Sequence, residues 1–155
     1  MIALMPEMVI RKAGDPDAAA IFALYHELDG AYKEQAKPGT QQEKTLWQAV
    51  AADEHQTVLV AEQGGNIIGT LTLLIVPNLA HHGKPWAAVE NVVVAGGFRG
   101  LGIGKALLTE AARLARELSC YKLVLSTNLV RHEAHEFYRR LGWRQSHIGF
   151  SLPLD

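Results

Sequence analysis

Apolar positions along the chain change spacing several times, and each change marks an element. Met8 to Lys12 reads as an opening strand, and Asp15-Pro16 then supplies an N-cap followed by proline at the first helical position. Ile21, Tyr25 and Leu28 fall on one face of the helix that follows, with Gly30 past its end. Thr40 and Glu43 have capping-box spacing ahead of Leu46, Trp47 and Val50, which predicts a second helix ending near Asp53. Residues 57–61 and 66–76 are β-branched runs parted by a Gln-Gly-Gly-Asn turn, the signature of a hairpin. After a loop over 77–85, residues 86–94 are apolar on both faces, as a buried central strand requires. Ile103, Leu107, Ala111, Leu114 and Leu118 then recur at helical spacing. A strand over 121–126, a short helix carrying Ala134, Phe137, Tyr138 and Leu141, and a last strand over 147–152 complete the chain.

Two early helices, a meander, and then strand, helix, strand, helix, strand make a mixed α/β order, not an alternating doubly wound one. The 155 residues suit a single domain over 1–155, long enough to bury a core unaided. Hydrophobic residues are 48% and charged residues 20% of the chain, a balance that predicts folding rather than disorder. The formal net charge of -1 removes the general electrostatic case for a nucleic-acid or anionic-membrane partner. Residues 67–76 are too short to span a bilayer, and the start lacks a secretory pattern. One cysteine, Cys120, can form neither an internal disulfide nor a cysteine-rich zinc site, so a cytoplasmic home is expected.

The chemistry concentrates in Val92-Val93-Val94-Ala95-Gly96-Gly97-Phe98-Arg99-Gly100-Leu101-Gly102-Ile103-Gly104-Lys105. A strand that feeds a glycine-rich turn into a helix presents unpaired backbone N–H groups at the positive end of the helix dipole, where phosphate oxygens bind. A Walker loop fails twice, at Arg99 and at Ala106. A dinucleotide fingerprint fails as well, because the glycine spacing is wrong and Ser126-Thr127-Asn128 supplies no acid. A glycine turn packed under a helix for purely structural reasons is the remaining local alternative.

Arg99-x-x-Gly102-x-Gly104 after a valine-rich strand resembles the acetyl-CoA pyrophosphate loop of the GNAT N-acetyltransferase superfamily. The order of elements, the strand ending Glu90-Asn91-Val92-Val93-Val94, and Asn128 ahead of Phe137-Tyr138 and Leu141-Gly142-Trp143 fall in the same sequence. Ser126-Thr127-Asn128, Arg131-His132-Glu133-Ala134-His135 and Gln145-Ser146-His147 are similar to bacterial aminoalkylphosphonate N-acetyltransferases, while Glu90 and Cys120-Tyr121-Lys122 resemble glucosamine-6-phosphate N-acetyltransferases. The resemblance implies a twisted mixed sheet of about six to seven strands flanked by about four helices. It implies acetyl transfer from acetyl-CoA to a primary amine of a small molecule; a peptide amine as acceptor and a non-catalytic acetyl-CoA sensor are the alternatives. It places the pyrophosphate on Arg99, Gly100, Leu101, Gly102, Ile103, Gly104 and Lys105, and the pantetheine arm beside Val92, Val93 and Val94. A backbone N–H near Val92 or Val93 would then stabilise the oxyanion.

By the same resemblance, Tyr138 is the general acid for the departing thiolate, against the alternative of a core aromatic. Glu90 is the candidate base through water, and its apolar neighbours predict burial that would raise its pKa. Asn128 holds the cofactor arm or a water, or caps its turn. No metal is expected: His132 and His135 are three apart where the zinc-protease motif needs four. His81 and His82 stay open between metal, substrate and solvent. Glu27, Asp29 and Glu34 could attract a cationic amine, and Lys33, Lys37, His81, His82 and Lys84 an anionic group. A homodimer is compatible with all of this.

Overall fold

The computed structural model describes residues 6–27 and 39–154. Leu28, Asp29, Gly30, Lys33, Glu34 and Lys37, each given a role above, lie outside them. The chain forms two compact units, Met1–Val124 and Leu125–Asp155.

The first unit opens with β1 (Met8–Lys12) and a single 3-10 turn at Asp15–Asp17, followed by α1 (Ala18–His26) and α2 (Gln41–Ala51). The N-terminal signal is displaced from the expected residue. Asp17, not Asp15, accepts the Gly14 N–H at 2.8 Å, while Asp15 accepts the Trp47 indole N–H at 2.7 Å and so ties α2 to the start of α1. The Asp17 carboxylate also takes two hydrogen bonds from Arg11, at 2.7 and 2.9 Å. That guanidinium, helped by Gly14 N–H, holds the acid below its ordinary value of 3.8 against the opposing effect of its own burial. The capping box of α2 forms as predicted: Thr40 accepts the Glu43 N–H, and Glu43 reaches back to the Gly39 N–H.

β2 (Gln56–Gln63), β3 (Asn66–Val76) and β4 (Trp86–Val94) follow, then α3 (Ile103–Glu117) and β5 (Leu123–Leu125). The sheet order is β1-β2-β3-β4-β5, with β1 to β4 antiparallel in sequence. Tyr121 N–H donates to Pro85 C=O at 3.0 Å and Ala87 N–H to Lys122 C=O at 2.9 Å, so the chain advances in the same direction where β4 and β5 begin.

Register divides the side chains between two faces. Leu71 pairs with Leu59, Leu73 with Val89 and Ile75 with Ala87, and these positions share the face on which Gly69 meets α3. Leu107, Leu108, Ala111 and Ala115 of α3 are buried there. On the opposite face Val58 and Val60 cluster with Ala18, Ile21 and Trp47 from the early helices. Within the expected apolar face of α2, Leu46 is exposed and only Trp47 is fully covered.

The second unit holds α4 (His132–Arg140) and an extended tail. Residues 147–152 are not the strand that alternation predicted: Ile148, Phe150 and Leu152 are exposed and the segment has no ladder. Alternation supplies a face but no neighbour, and a strand needs both. The sheet therefore has five strands among the described residues, not six or seven.

At Gly69 α3 packs tightly on the sheet. A Cβ there would lie 3.0 Å from Ile103 Cγ2, 3.2 Å from Leu107 Cδ1 and 3.3 Å from the Val93 carbonyl oxygen. Neither side chain can yield, because both are buried. Gly69→Ala is expected to destabilise the fold by about 1–3 kcal/mol, read as a lower urea midpoint at unchanged slope. A midpoint equal to the parent's would show that α3 shifts freely on the sheet.

Candidate active site

β4 carries a bulge at the centre of the site. Thr72 pairs with Glu90 but Thr70 with Val93, so Asn91 and Val92 together oppose the single residue Leu71. Asn91 takes φ 53°, a left-handed conformation that asparagine tolerates better than β-branched residues do. A bulge interrupts the ladder and re-aims the strand. It also shifts the alternation by one: Val93 turns inward at 2% exposure beside Thr70, while Val92 and Val94 remain half-buried. The expected donor strand Val92–Val94 is thus locally distorted, and Val92 sits in the distortion.

Past Val94 the chain makes a 3-10 turn at Gly96–Phe98 and enters α3 through Gly102, whose φ of 84° only glycine adopts readily. The backbone N–H groups of Gly100, Leu101, Gly102, Ile103, Gly104 and Lys105 have no acceptor among the described residues; the first bond of α3 runs from Ala106 N–H to Gly102 C=O. Six consecutive donors without a partner among the described residues therefore lie at the positive end of a 15-residue helix. Space above them is open, since a Cβ built on Gly100 or Gly102 meets nothing within 4 Å. These residues fit a pyrophosphate: donors, dipole and room coincide. A groove of about 330 Å³ runs beside the first turns of α3, lined by Ile10, Lys105, Ala106 and Thr109 among others. Arg99 donates from Nε to Val94 C=O at 3.2 Å, which anchors its side chain across the turn.

Two acids bear on the turn and the strand. Glu90 is exposed, so the burial predicted from its apolar neighbours is absent; Val89 turns to the α3 face, and Val93, brought past the bulge to the Glu90 side, does not cover it. Glu27, at the end of α1, is exposed and accepts the Gly96 N–H at 3.0 Å, so it also braces the turn. Nothing in the sequence pattern pointed to this contact, which joins residues far apart in the chain.

In the second unit, Tyr138 is half-buried on α4, its ring 5.3 Å from Phe137 and 6.0 Å from Trp143 between centroids. Its hydroxyl makes no hydrogen bond among the described residues. Burial pushes the phenol above its ordinary value of 10.0, with Arg131 opposing. Asn128 serves its own turn: Oδ1 accepts the Val130 N–H at 3.1 Å and its carbonyl accepts the Arg131 N–H at 3.0 Å. Thr127 Oγ1 is buried without a partner. Burial raises the Cys120 thiol, which keeps it protonated and unreactive. Among the described residues no group of three His, Cys, Asp or Glu side chains could hold a metal, and no helix is long and apolar enough to cross a membrane.

A row of backbone donors without acceptors at a helix start is an arrangement for holding phosphate oxygens. Residues 21–143 match the model of the Acetyltransferase (GNAT) family, and the chain belongs to that family. It is an N-acetyltransferase. Aminoalkylphosphonate N-acetyltransferase of Salmonella typhimurium is 31% identical over 151 residues, covering 97% of this chain and 94% of that protein. Glucosamine 6-phosphate N-acetyltransferase of Trypanosoma brucei brucei is 35% identical over 90 residues, 58% of this chain and 59% of that one. Among solved structures, a Trypanosoma brucei acetyltransferase superposes with a TM-score of 0.81 at 25% identity, covering 96% of this chain and 100% of the other. Both named relatives are acetyltransferases of small-molecule amines.

The open space above Gly102 changes what a larger side chain does there. Gly102→Val meets no protein atom, so its costs are backbone strain of about 1–2 kcal/mol and a branched side chain standing where the phosphates approach. Calorimetry of the folded variant should show CoA bound at least tenfold more weakly. Unchanged affinity would remove this turn from the binding site.

Proposed function

We propose that the protein transfers the acetyl group of acetyl-CoA directly to the primary amine of a small molecule bearing an anionic group. The observation that carries this reading is the row of six acceptor-less N–H groups from Gly100 to Lys105, set one short turn beyond the bulge at Asn91 and Val92. Both named relatives act on amines that carry phosphorus oxyanions, which supports the anionic acceptor. The two units are taken as one domain; the family match runs across their boundary.

The chemistry assigns each residue one task. Backbone donors of residues 99–105 hold the pyrophosphate, and the pantetheine arm lies along Val92 to Val94. An N–H at Val92 or Val93, beside the bulge, meets the negative charge that builds on the thioester oxygen. The amine must arrive neutral, and Glu90, in contact with solvent, accepts its proton through water. As the C–N bond forms and the C–S bond breaks, Tyr138 gives its phenolic proton to the departing thiolate and recovers one from solvent. Asn128 orders the start of α4, which carries Tyr138. The cell's cytoplasm is the proposed compartment, where an unpaired thiol such as Cys120 persists. A homodimer is the proposed assembly, read by light scattering.

The direct experiment is a panel of amines with acetyl-CoA, followed by release of free thiol. No release with any amine would reassign the protein to acetyl-CoA binding without turnover.

Two variants test the assignments. Tyr138→Phe keeps the ring and removes the hydroxyl. The rate should fall roughly 10²- to 10⁴-fold, about 2.7 to 5.4 kcal/mol of barrier, with little change in acetyl-CoA affinity. Because the raised phenol stays protonated beyond pH 10.0, the alkaline decline in kcat assigned to it should begin above that value and vanish in the variant. Full turnover in the folded variant, where chemistry limits the rate, would take Tyr138 out of the mechanism.

Glu90→Gln should lose most activity at low pH, where neutral amine is scarce, and recover as pH rises. A uniform loss across pH would mean that Glu90 orients the acceptor and moves no proton.

A further inference from the structure

β3 carries two threonines on the face turned toward the early helices, and their hydroxyls differ in what they touch. Thr70 is fully buried and donates to Leu59 C=O at 2.8 Å, so its hydroxyl is satisfied inside the sheet. Thr72, two residues on and 5% exposed, forms no hydrogen bond through its hydroxyl with any described residue. Its surroundings in the sheet are apolar on one side: it pairs with the buried Val58 of β2, and the next residues on the same face are Leu74 and Ala88. Valine has the shape of threonine and would fill this place with no hydroxyl to satisfy. A hydroxyl this deeply buried and unpartnered by protein is a group that water or a ligand completes.

On its other side Thr72 pairs with Glu90, and directly opposed residues of an antiparallel ladder hold their Cβ atoms about 4.5–5.5 Å apart. Glu90 is the one titratable side chain among these neighbours, since Val58, Leu74 and Ala88 carry no charge. Thr72 is covered and Glu90 exposed, so the pair spans the border between the packed face and water. It is also the last regular pair of the ladder before the bulge, because Asn91 and Val92 next oppose Leu71 alone. The pair therefore stands within two residues of Val92, whose N–H is assigned to the oxyanion, roughly 7 Å along the strand.

We infer that the Thr72 hydroxyl is the positioning group for the water through which Glu90 takes the proton of the acceptor amine. This rests on the reading of Glu90 as proton acceptor and adds the group that aims the water. A threonine hydroxyl has one hydrogen to donate. Donated to the water oxygen, it occupies one lone pair and leaves the other for the amine. One water O–H then points across the ladder to the Glu90 carboxylate. The ammonium N–H bond breaks as its proton passes to the water, and a water O–H bond breaks as its proton passes to a Glu90 carboxylate oxygen. Thr72 keeps its own proton, and the amine is left neutral for attack on the thioester. A water held at two points is already oriented when the amine arrives.

The test compares Thr72→Val, Thr72→Ser, Glu90→Gln and the variant carrying both Thr72→Val and Glu90→Gln, under conditions where chemistry limits the rate. Thr72→Val keeps the shape and removes only the hydroxyl. It should lower kcat about 5- to 20-fold, with acetyl-CoA affinity by calorimetry changed less than about twofold and a urea midpoint no lower than the parent's. Thr72→Ser, which restores a hydroxyl, should bring kcat to within about threefold of the parent. The double variant should be no slower than Glu90→Gln alone, because both changes act on one water. Full kcat in Thr72→Val beside a slow Glu90→Gln would overturn the inference and leave Glu90 as the base. Losses that multiply independently, or a lowered urea midpoint with no rescue by serine, would overturn it as well. A turnover-free readout keeps the two readings apart. In protein isotope-labelled at the glutamate carboxyl carbons, the Glu90 resonance, assigned by its loss in Glu90→Gln, should move in Thr72→Val and stay in place in Thr72→Ser. If that response is present while Glu90→Gln acetylates at the parent's rate, the water site stands and the proton-acceptor reading fails. If the resonance does not move, the water site fails.

Discussion

The close approach of α3 to β3 at Gly69 sets the geometry on which the site depends. Gly69 pairs with Val94, the last residue of β4, so the helix is pinned to the sheet at the level where the donor strand ends. Any side chain at 69 would hold Ile103 and Leu107 away, and Ile103 is the first residue of α3. The six free N–H groups of the turn are therefore carried on a helix whose distance from β4 is fixed by packing. Preorganised donors of this kind bind phosphate without the cost of ordering a loop.

The sheet also separates two jobs. Its α3 face is filled by leucine, valine and alanine to zero or near-zero exposure and can do no chemistry. Its other face carries Trp86, Ala88 and Glu90, beside the early helices, and is open enough for Glu90 to meet water. The bulge lies at the junction of the two halves of β4 and re-aims the strand between them. Glu27 ties the end of α1 to the backbone of Gly96 ahead of the donor turn.

Much of this was legible in the sequence because it follows from local periodicity. The apolar spacing from Ile103 to Ala111, the glycines of the turn, the hairpin and the Thr40–Glu43 cap all act over a few residues. What escaped depends on contacts between distant segments. Three consecutive valines read alike in any register, so the bulge left no mark. Asp15 and Asp17 flank the same proline, and only the positions of Arg11 and Trp47 decide which one caps. Residues 147–152 alternate as a strand does, yet alternation cannot supply a partner strand.

The two groups assigned to proton transfer sit in opposite surroundings, and the difference suits opposite duties. Tyr138 is half-buried among Phe137 and Trp143, and burial there favours the neutral phenol over the phenolate, with the nearby Arg131 only moderating the effect. A group that must arrive protonated is well served by such a pocket. Glu90 has the reverse arrangement: it is exposed, on a strand face open to solvent, so a proton accepted from an amine passes readily to water. The exposure of Glu90 departs from the burial that its apolar neighbours predict, and under the proposed mechanism it leaves the proton acceptor in direct exchange with solvent.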